Sequence, residues 1–167
     1  MKRSLAYKYC PQCGHLLTKK GPYYLECDNN HPYYVSPKPT VCVIIEKNQK
    51  VLIVKRGKEP HKGKWEFPGG FISPGDKIVS TAIRETKEEL GVIIKVNGFV
   101  DSYVDIYPFK GVDYEVILFY LTAEIIDGEL TPSEEVTEFK FVEKRILPDI
   151  DFGFEADKRA ADGLFLH

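Results

Sequence analysis

The spacing Cys10-Pro-Gln-Cys13-Gly14, followed by Cys27-Asp-Asn-Asn-His31, constrains the front of this chain more than any other feature. It sets two pairs of candidate metal ligands on tight turns, and Gly14 supplies the backbone freedom that the first turn needs. A segment of about 35 residues cannot bury enough apolar surface to fold unaided, so a tetrahedral ion is the natural staple. Structural Zn2+ held by Cys10, Cys13, Cys27 and His31 is expected, with Asp28 or a more distant residue as the alternative to His31.

Met1 to Lys8 begins with positive charge but lacks the apolar segment and small-residue cleavage site of a secretory signal. A cytoplasmic location is expected from that, and cytosolic thiols stay reduced, which argues against disulfides. Short runs around Tyr23–Glu26 and Tyr33–Val35 read as strands beside the second turn. The segment resembles a zinc ribbon, so residues 1–36 are expected to form that module and residues 37–167 the main domain. Cys42 lies inside the apolar run Val41–Ile45 and reads as a core thiol.

Of the 167 residues, 43% are apolar and 29% charged, which fits a folded domain with a real core. The longest apolar runs, Val41–Ile45 and Val116–Leu121, fall far short of the ~20 residues of a membrane span, so no membrane partner is expected. Residues 1–39 carry six basic side chains against two acidic ones, whereas residues 40–167 carry 17 against 23. A basic front thus precedes an acidic body, an asymmetry compatible with a phosphate-bearing partner.

After Pro37 and Pro39, Val- and Ile-rich runs from Thr40 to Glu46 and from Lys50 to Lys55 predict a hairpin across Lys47-Asn48-Gln49. A glycine-punctuated loop follows from Gly57 to Gly75. Ile78, Val79, Ala82, Ile83 and Leu90 then recur with a helical period, which predicts a helix over Lys77–Leu90, capped by Asp76 and stopped by Gly91. Further strands are expected near Ile93–Val104, Tyr114–Ile125 and Glu138–Val142, with a second helix over Phe154–Phe165. This order predicts an α+β fold, a mixed sheet covered by a helix on each face.

At about 100° per residue, Glu85, Glu88 and Glu89 fall within an arc of roughly 100° on one face of the first helix. Their carboxylates are expected to converge, and three like charges so close would raise one another's pKa unless a cation shared the site. Oxygen-only ligands favour Mg2+ or Mn2+.

From Gly70 to Val92 the sequence resembles the Nudix hydrolase family. The family pattern is a glycine, five residues, Glu, seven residues, then Arg-Glu-aliphatic-x-Glu-Glu-x-Gly-aliphatic, and the spacing agrees throughout. Asp76 stands where the pattern has its first Glu, and Thr86 where it has an aliphatic residue. The flanks join in, from Lys55-Arg56 through Gly63–Gly69 to Glu138–Phe141, so the likeness spans nearly all of residues 40–167.

The resemblance implies a Nudix-type α/β/α sandwich with a mixed β-sheet behind the ribbon. It implies divalent-metal-dependent hydrolysis of the pyrophosphate bond in nucleoside diphosphate derivatives, with Mg2+ or Mn2+ on Glu85, Glu88 and Glu89. Arg84 would orient a glutamate, Gly69 and Gly70 would shape the substrate loop, and Glu138 would serve at the active site, with Glu134, Glu135 and Glu115 as alternatives. Arg56 and Lys64 would meet substrate phosphates. The aromatic segment Tyr103, Tyr107, Phe109 and Tyr114 would either stack a base or pack in the core or a dimer. A homodimer is also implied.

A zinc ribbon before such a body is similar to the NADH pyrophosphatase branch. That branch carries Ser-Gln-Pro-Trp-Pro-Phe-Pro downstream of the box, where this chain has Val100 to Pro108 without it. The expectation therefore moves from NADH toward ADP-ribose or another adenosine diphosphate derivative. The competing reading is a sensor that binds RNA or a partner protein through its basic ribbon, and a capped RNA 5′ end lies between the two.

Overall fold

The computed structural model describes residues 7–165, so the first six residues of the expected ribbon and the last two of the expected main domain lie outside the described residues. The ribbon is a small antiparallel sheet of β1 (Leu17–Lys19), β2 (Tyr24–Cys27) and β3 (Pro32–Tyr34), in that spatial order. Strand β1 was not evident in the sequence, because three residues offer too little alternation to detect. Gly14 takes a φ of +74° and its N–H donates to the Cys10 carbonyl, closing the first turn. Asn30, also left-handed, closes the second through the Cys27 carbonyl.

The main sheet comprises β4 (Lys38–Lys47), β5 (Lys50–Arg56), β8 (Val92–Phe109), β9 (Val112–Gly128) and β10 (Val136–Glu143), in the order β10-β5-β4-β9-β8. Strands β4 and β9 run parallel and the other neighbours antiparallel, so the sheet is mixed. Two short strands inside the glycine-rich loop, β6 (Trp65–Glu66) and β7 (Gly69–Phe71), attach to β5 and β4 respectively. Beyond Glu46 and Lys47, β4 and β5 are not paired with each other, and β6 and β7 take up their inner edges.

Both faces are covered. Val41, Val43, Ile45, Leu52 and Val54 pack with Ala82 and Leu90 of α1 (Ile78–Leu90). On the other face Cys42, Ile44, Val51 and Ile53 pack with Ala156, Ala160, Ala161 and Leu164 of α2 (Glu155–Phe165). Strand β4 is buried on both sides, which is why Val41–Ile45 reads as an unbroken apolar run. Cys42 is a core thiol, as expected.

Two local expectations need correction. Asp76 does not cap α1: Lys77 stands at the N-cap without a side-chain cap, and the Asp76 N–H instead donates to Ser73 in the preceding turn. Gly91 does stop the helix, left-handed and bonded back to Lys87. The strands around residue 110 are longer than their sequence suggested, because β8 and β9 join in a two-residue turn at Lys110 and Gly111 with φ of 49° and 78°. Such a turn matches strand twist, and Pro108 is tolerated because β8 lies at the sheet edge. Among the described residues, no helix is long and apolar enough to cross a membrane.

Candidate active site

Strand β7 carries Gly69 and Gly70 beneath the inner face of α1; position 69 requires glycine because it faces backbone, whereas position 70 faces the end of the Glu85 side chain. A Cβ at residue 69 would lie 2.0 Å from the Val41 carbonyl oxygen, and one at residue 70 would lie 2.4 Å from the Glu85 carboxyl carbon. The backbone thereby reaches the helix carboxylates directly: the Gly69 N–H donates to Glu89 at 3.0 Å. Glu89 is buried, and burial together with the nearby Glu66 carboxylate pushes its pKa well above the ordinary range. Burial also raises Glu85, with Arg84 opposing it.

The three glutamates do not form one cluster, contrary to the expected convergence. Glu89 turns to Gly69, while the Arg84 guanidinium bonds Glu85 at 2.8 Å and Glu88 at 3.0 Å. Among the described residues, only Cys10, Cys13, Cys27 and His31 form a group of three or more potential ligands whose atoms all lie within 4.8 Å of one another. Arg84 also approaches Asp76 at 3.9 Å.

A cavity of about 370 Å³ opens beside this helix. Glu85, Glu89, Arg84, Gly69 and Gly70 line it, together with Arg56, Lys58, Glu66 and Glu135. Arg56 is fixed from three sides: it pairs with partly buried Glu66, donates to the Pro60 carbonyl at 2.6 Å, and lies 5.1 Å from the Phe154 ring centroid. As a lone acid beside Trp65, Glu66 gives no periodic signal in the sequence, and only the pairing of β6 with β5 carries it to Arg56.

Three expected residues stay outside this lining. Glu138 lies opposite Lys55 on β10 and pairs with it at 2.9 Å, whereas Glu135, three residues earlier, lines the cavity and pairs with Lys58 at 2.6 Å. Lys64 pairs with Asp151 on the surface. Glu88 is likewise not among the lining residues. Of the aromatic segment, Tyr107 lines the cavity and Tyr103 packs against Tyr120 in the core.

The oxygen-only donor set of Glu85, Glu88 and Glu89 fits the chemistry of a hard divalent cation. In the ribbon, Cys10 Sγ lies 3.6 Å from His31 Nδ1, and Cys13 Sγ 3.6 Å from Cys27 Sγ. These match the edges, about 3.7 Å, of a tetrahedron with ~2.3 Å metal–sulfur bonds, so the set fits Zn2+. Burial pushes the Cys10 thiol up, yet hydrogen bonds from the Gln12 and Cys13 backbone and from His31 bring it down to about 6, favouring the ligating thiolate.

A family model for the NUDIX domain matches residues 36–160. The ADP-ribose pyrophosphatase of Methanocaldococcus jannaschii is 34% identical over 122 residues, covering 73% of this chain and 71% of that protein. The NAD-capped RNA hydrolase NudC of Chromobacterium violaceum is 26% identical over 129 residues, which are 76% of this chain but 39% of that protein. A crystal structure of a NUDIX hydrolase from Nitrosomonas europaea has a TM-score of 0.74 at 26% identity, covering 95% of this chain and 89% of that one. The match over most of the main domain and the shared fold agree with the spacing of the glycine loop and the acidic helix: this chain belongs to the NUDIX domain family of hydrolases acting on anhydrides.

Proposed function

We propose that the chain hydrolyses the pyrophosphate bond of a nucleoside diphosphate derivative in a divalent-metal-dependent reaction, with ADP-ribose as the leading substrate and NADH-type dinucleotides behind it. The observation that carries this reading is a single cavity holding Glu85 and Glu89 beside the cations Arg56, Lys58 and Arg84. The name of the 34%-identical relative supports the ADP-ribose preference.

Mg2+ or Mn2+ held by Glu85, Glu88 and Glu89 would supply charge neutralisation of the pyrophosphate and activation of a water. The chain's own residues do the rest. Arg56, held rigid by Glu66 and Pro60, offers its free guanidinium edge to a phosphate oxygen. Arg84 holds Glu85 and Glu88 in place through charge-assisted hydrogen bonds. Glu135 accepts the proton released from water, in place of Glu138, because Glu135 reaches the cavity and electrostatically affects both Glu85 and Glu89. Zn2+ in the ribbon has a structural role, since four protein ligands leave no open position.

A panel of ADP-ribose, NADH, flavin dinucleotide, dinucleoside polyphosphates and nucleoside triphosphates with Mg2+ and Mn2+ tests the assignment, with both products identified. Glu88→Gln and Glu135→Gln should each lower turnover roughly a hundredfold, while Glu138→Gln should stay within a few-fold of the parent. The reverse order for Glu135 and Glu138 would reassign the base. A nucleotide-capped RNA end is the second reading, favoured by the likeness to the NAD-capped RNA hydrolase, of whose length this chain spans 39%.

A further inference from the structure

Six of the ten tyrosines fall within residues 7–34, in the ribbon. The strand registers set Thr18, Glu26 and Pro32 side by side across β1, β2 and β3, and Tyr24 beside Tyr34 one row on. Lys20, whose N–H donates to the Tyr24 carbonyl at 2.9 Å, continues that second row just past β1. Side chains alternate along a strand, so these six share one face. Leu25 and Cys27, both buried, point to the other. On the shared face Tyr24 and Glu26 are half-buried and the remaining four are exposed.

Two features distinguish this outer face. Tyr34 is 70% exposed, and its ring lies 5.1 Å from that of Tyr24 at a tilt of 38°, so an aromatic pair rather than a single ring faces solvent. The lysines of the ribbon are also free. Among the described residues no carboxylate pairs with Lys8, Lys19 or Lys20, whereas five lysines of the main domain each hold one. With six basic residues against two acidic ones in residues 1–39, the ribbon offers uncompensated positive charge that a polyanion neutralises.

We propose that the outer face of the ribbon binds single-stranded RNA, with a base stacked on Tyr34 and Lys20 at an adjoining phosphate. No residue of this face lines the cavity, which makes the inference independent of the hydrolytic reading. An open sheet face with an aromatic pair suits a strand laid across it, whereas a small molecule needs enclosure. Stacking needs an uncovered base, which a duplex does not present. Glu26 favours RNA over DNA. The Tyr24 hydroxyl donates to its Oε2, which leaves Oε1 to accept a ribose 2′-hydroxyl that deoxyribose lacks. The same carboxylate repels phosphate and so confines the backbone to the Lys20 side. A two-fold dimer across this face would instead set the free lysines of one copy against those of the other, like charge to like.

Fluorescence anisotropy of the zinc-loaded full chain tests this, using a 3′-labelled, unstructured RNA of about 12 nucleotides with a 5′-hydroxyl. Mg2+ and Mn2+ are left out so that no hydrolysis intervenes. RNA should bind roughly threefold or more tighter than DNA of the same sequence, the worth of one hydrogen bond, and roughly tenfold tighter than the duplex. Tyr34→Ala should weaken RNA binding roughly tenfold, the effect of losing one stacked base, and Tyr34→Trp should restore it. Lys20→Gln should flatten the slope of log K against log salt by about 0.7. Both side chains are exposed, and a zinc analysis of each variant shows that its ribbon has formed. No RNA binding, equal affinity for DNA or duplex, or unchanged binding in zinc-loaded Tyr34→Ala would each overturn the proposal. So would an unchanged salt slope in Lys20→Gln, or a dimer in sedimentation that Tyr34→Ala abolishes. Failure of the hydrolytic reading looks different: every compound of the substrate panel would remain intact with Mg2+ and Mn2+, whatever the titrations show.

Discussion

A methyl group at position 70 would press on the Glu85 carboxyl carbon at 2.4 Å, a contact relieved only by swinging the Glu85 carboxylate away from its place beside Arg84. Gly70→Ala should therefore lower turnover well beyond its effect on Tm, which steady-state kinetics beside a thermal melt would separate. Asp157 supplies a second test through pH. Its folded-state pKa is raised, so the native chain keeps a proton that the unfolded chain releases near pH 4, and stability falls as pH climbs from about 4 toward the folded value. Asp157→Asn removes that titration, so its Tm should fall less than the parent's between about pH 5 and about pH 8. Parallel losses in calorimetry would mean that Asp157 is ionised in the native protein. Residues with a pattern, such as Arg84, Glu85 and Glu89, were legible because their spacing repeats that of a motif. Glu66, Thr40 and Asp157 carried no such signal; each enters the cavity through strand pairing or helix docking that joins distant parts of the chain.

At the scale of elements, α1 was the most legible piece, since its buried stripe and Gly91 both follow from local rules. Strands β8 and β9 were read short because Pro108 and the Lys110-Gly111 turn look like loop, and only the edge position of β8 makes the proline harmless. Convergence of the glutamates was expected from helix geometry alone. Helical spacing fixes where side chains start, whereas Arg84 and the Gly69 N–H decide where their carboxylates end. The ribbon's three short strands flank the turns that bring its four candidate ligands together. One zinc per chain is expected, lost in Cys10→Ser; hydrogen exchange should then rise across residues 10–34 and stay slow in β4 and β5. A metal analysis finding none in the unmodified protein would remove the assignment.

Across the whole molecule, the sheet has two cores, and its central strands contribute to both. Leu90, fully buried where α1 ends, belongs to one of them, and Leu90→Ala should cost about 2–5 kcal/mol in denaturant unfolding. Ile146, 40% exposed, should cost within about 0.5 kcal/mol when changed to Ala. Equal effects would contradict the burial pattern. The two-sided character of β4 has a further consequence. Val41, Val43 and Ile45 support the acidic helix, while Thr40 and Cys42 border the cavity, so alternate positions of one short run serve different faces of the sheet. Inserting one residue in this run would swap the helix-supporting and the cavity-bordering positions at once.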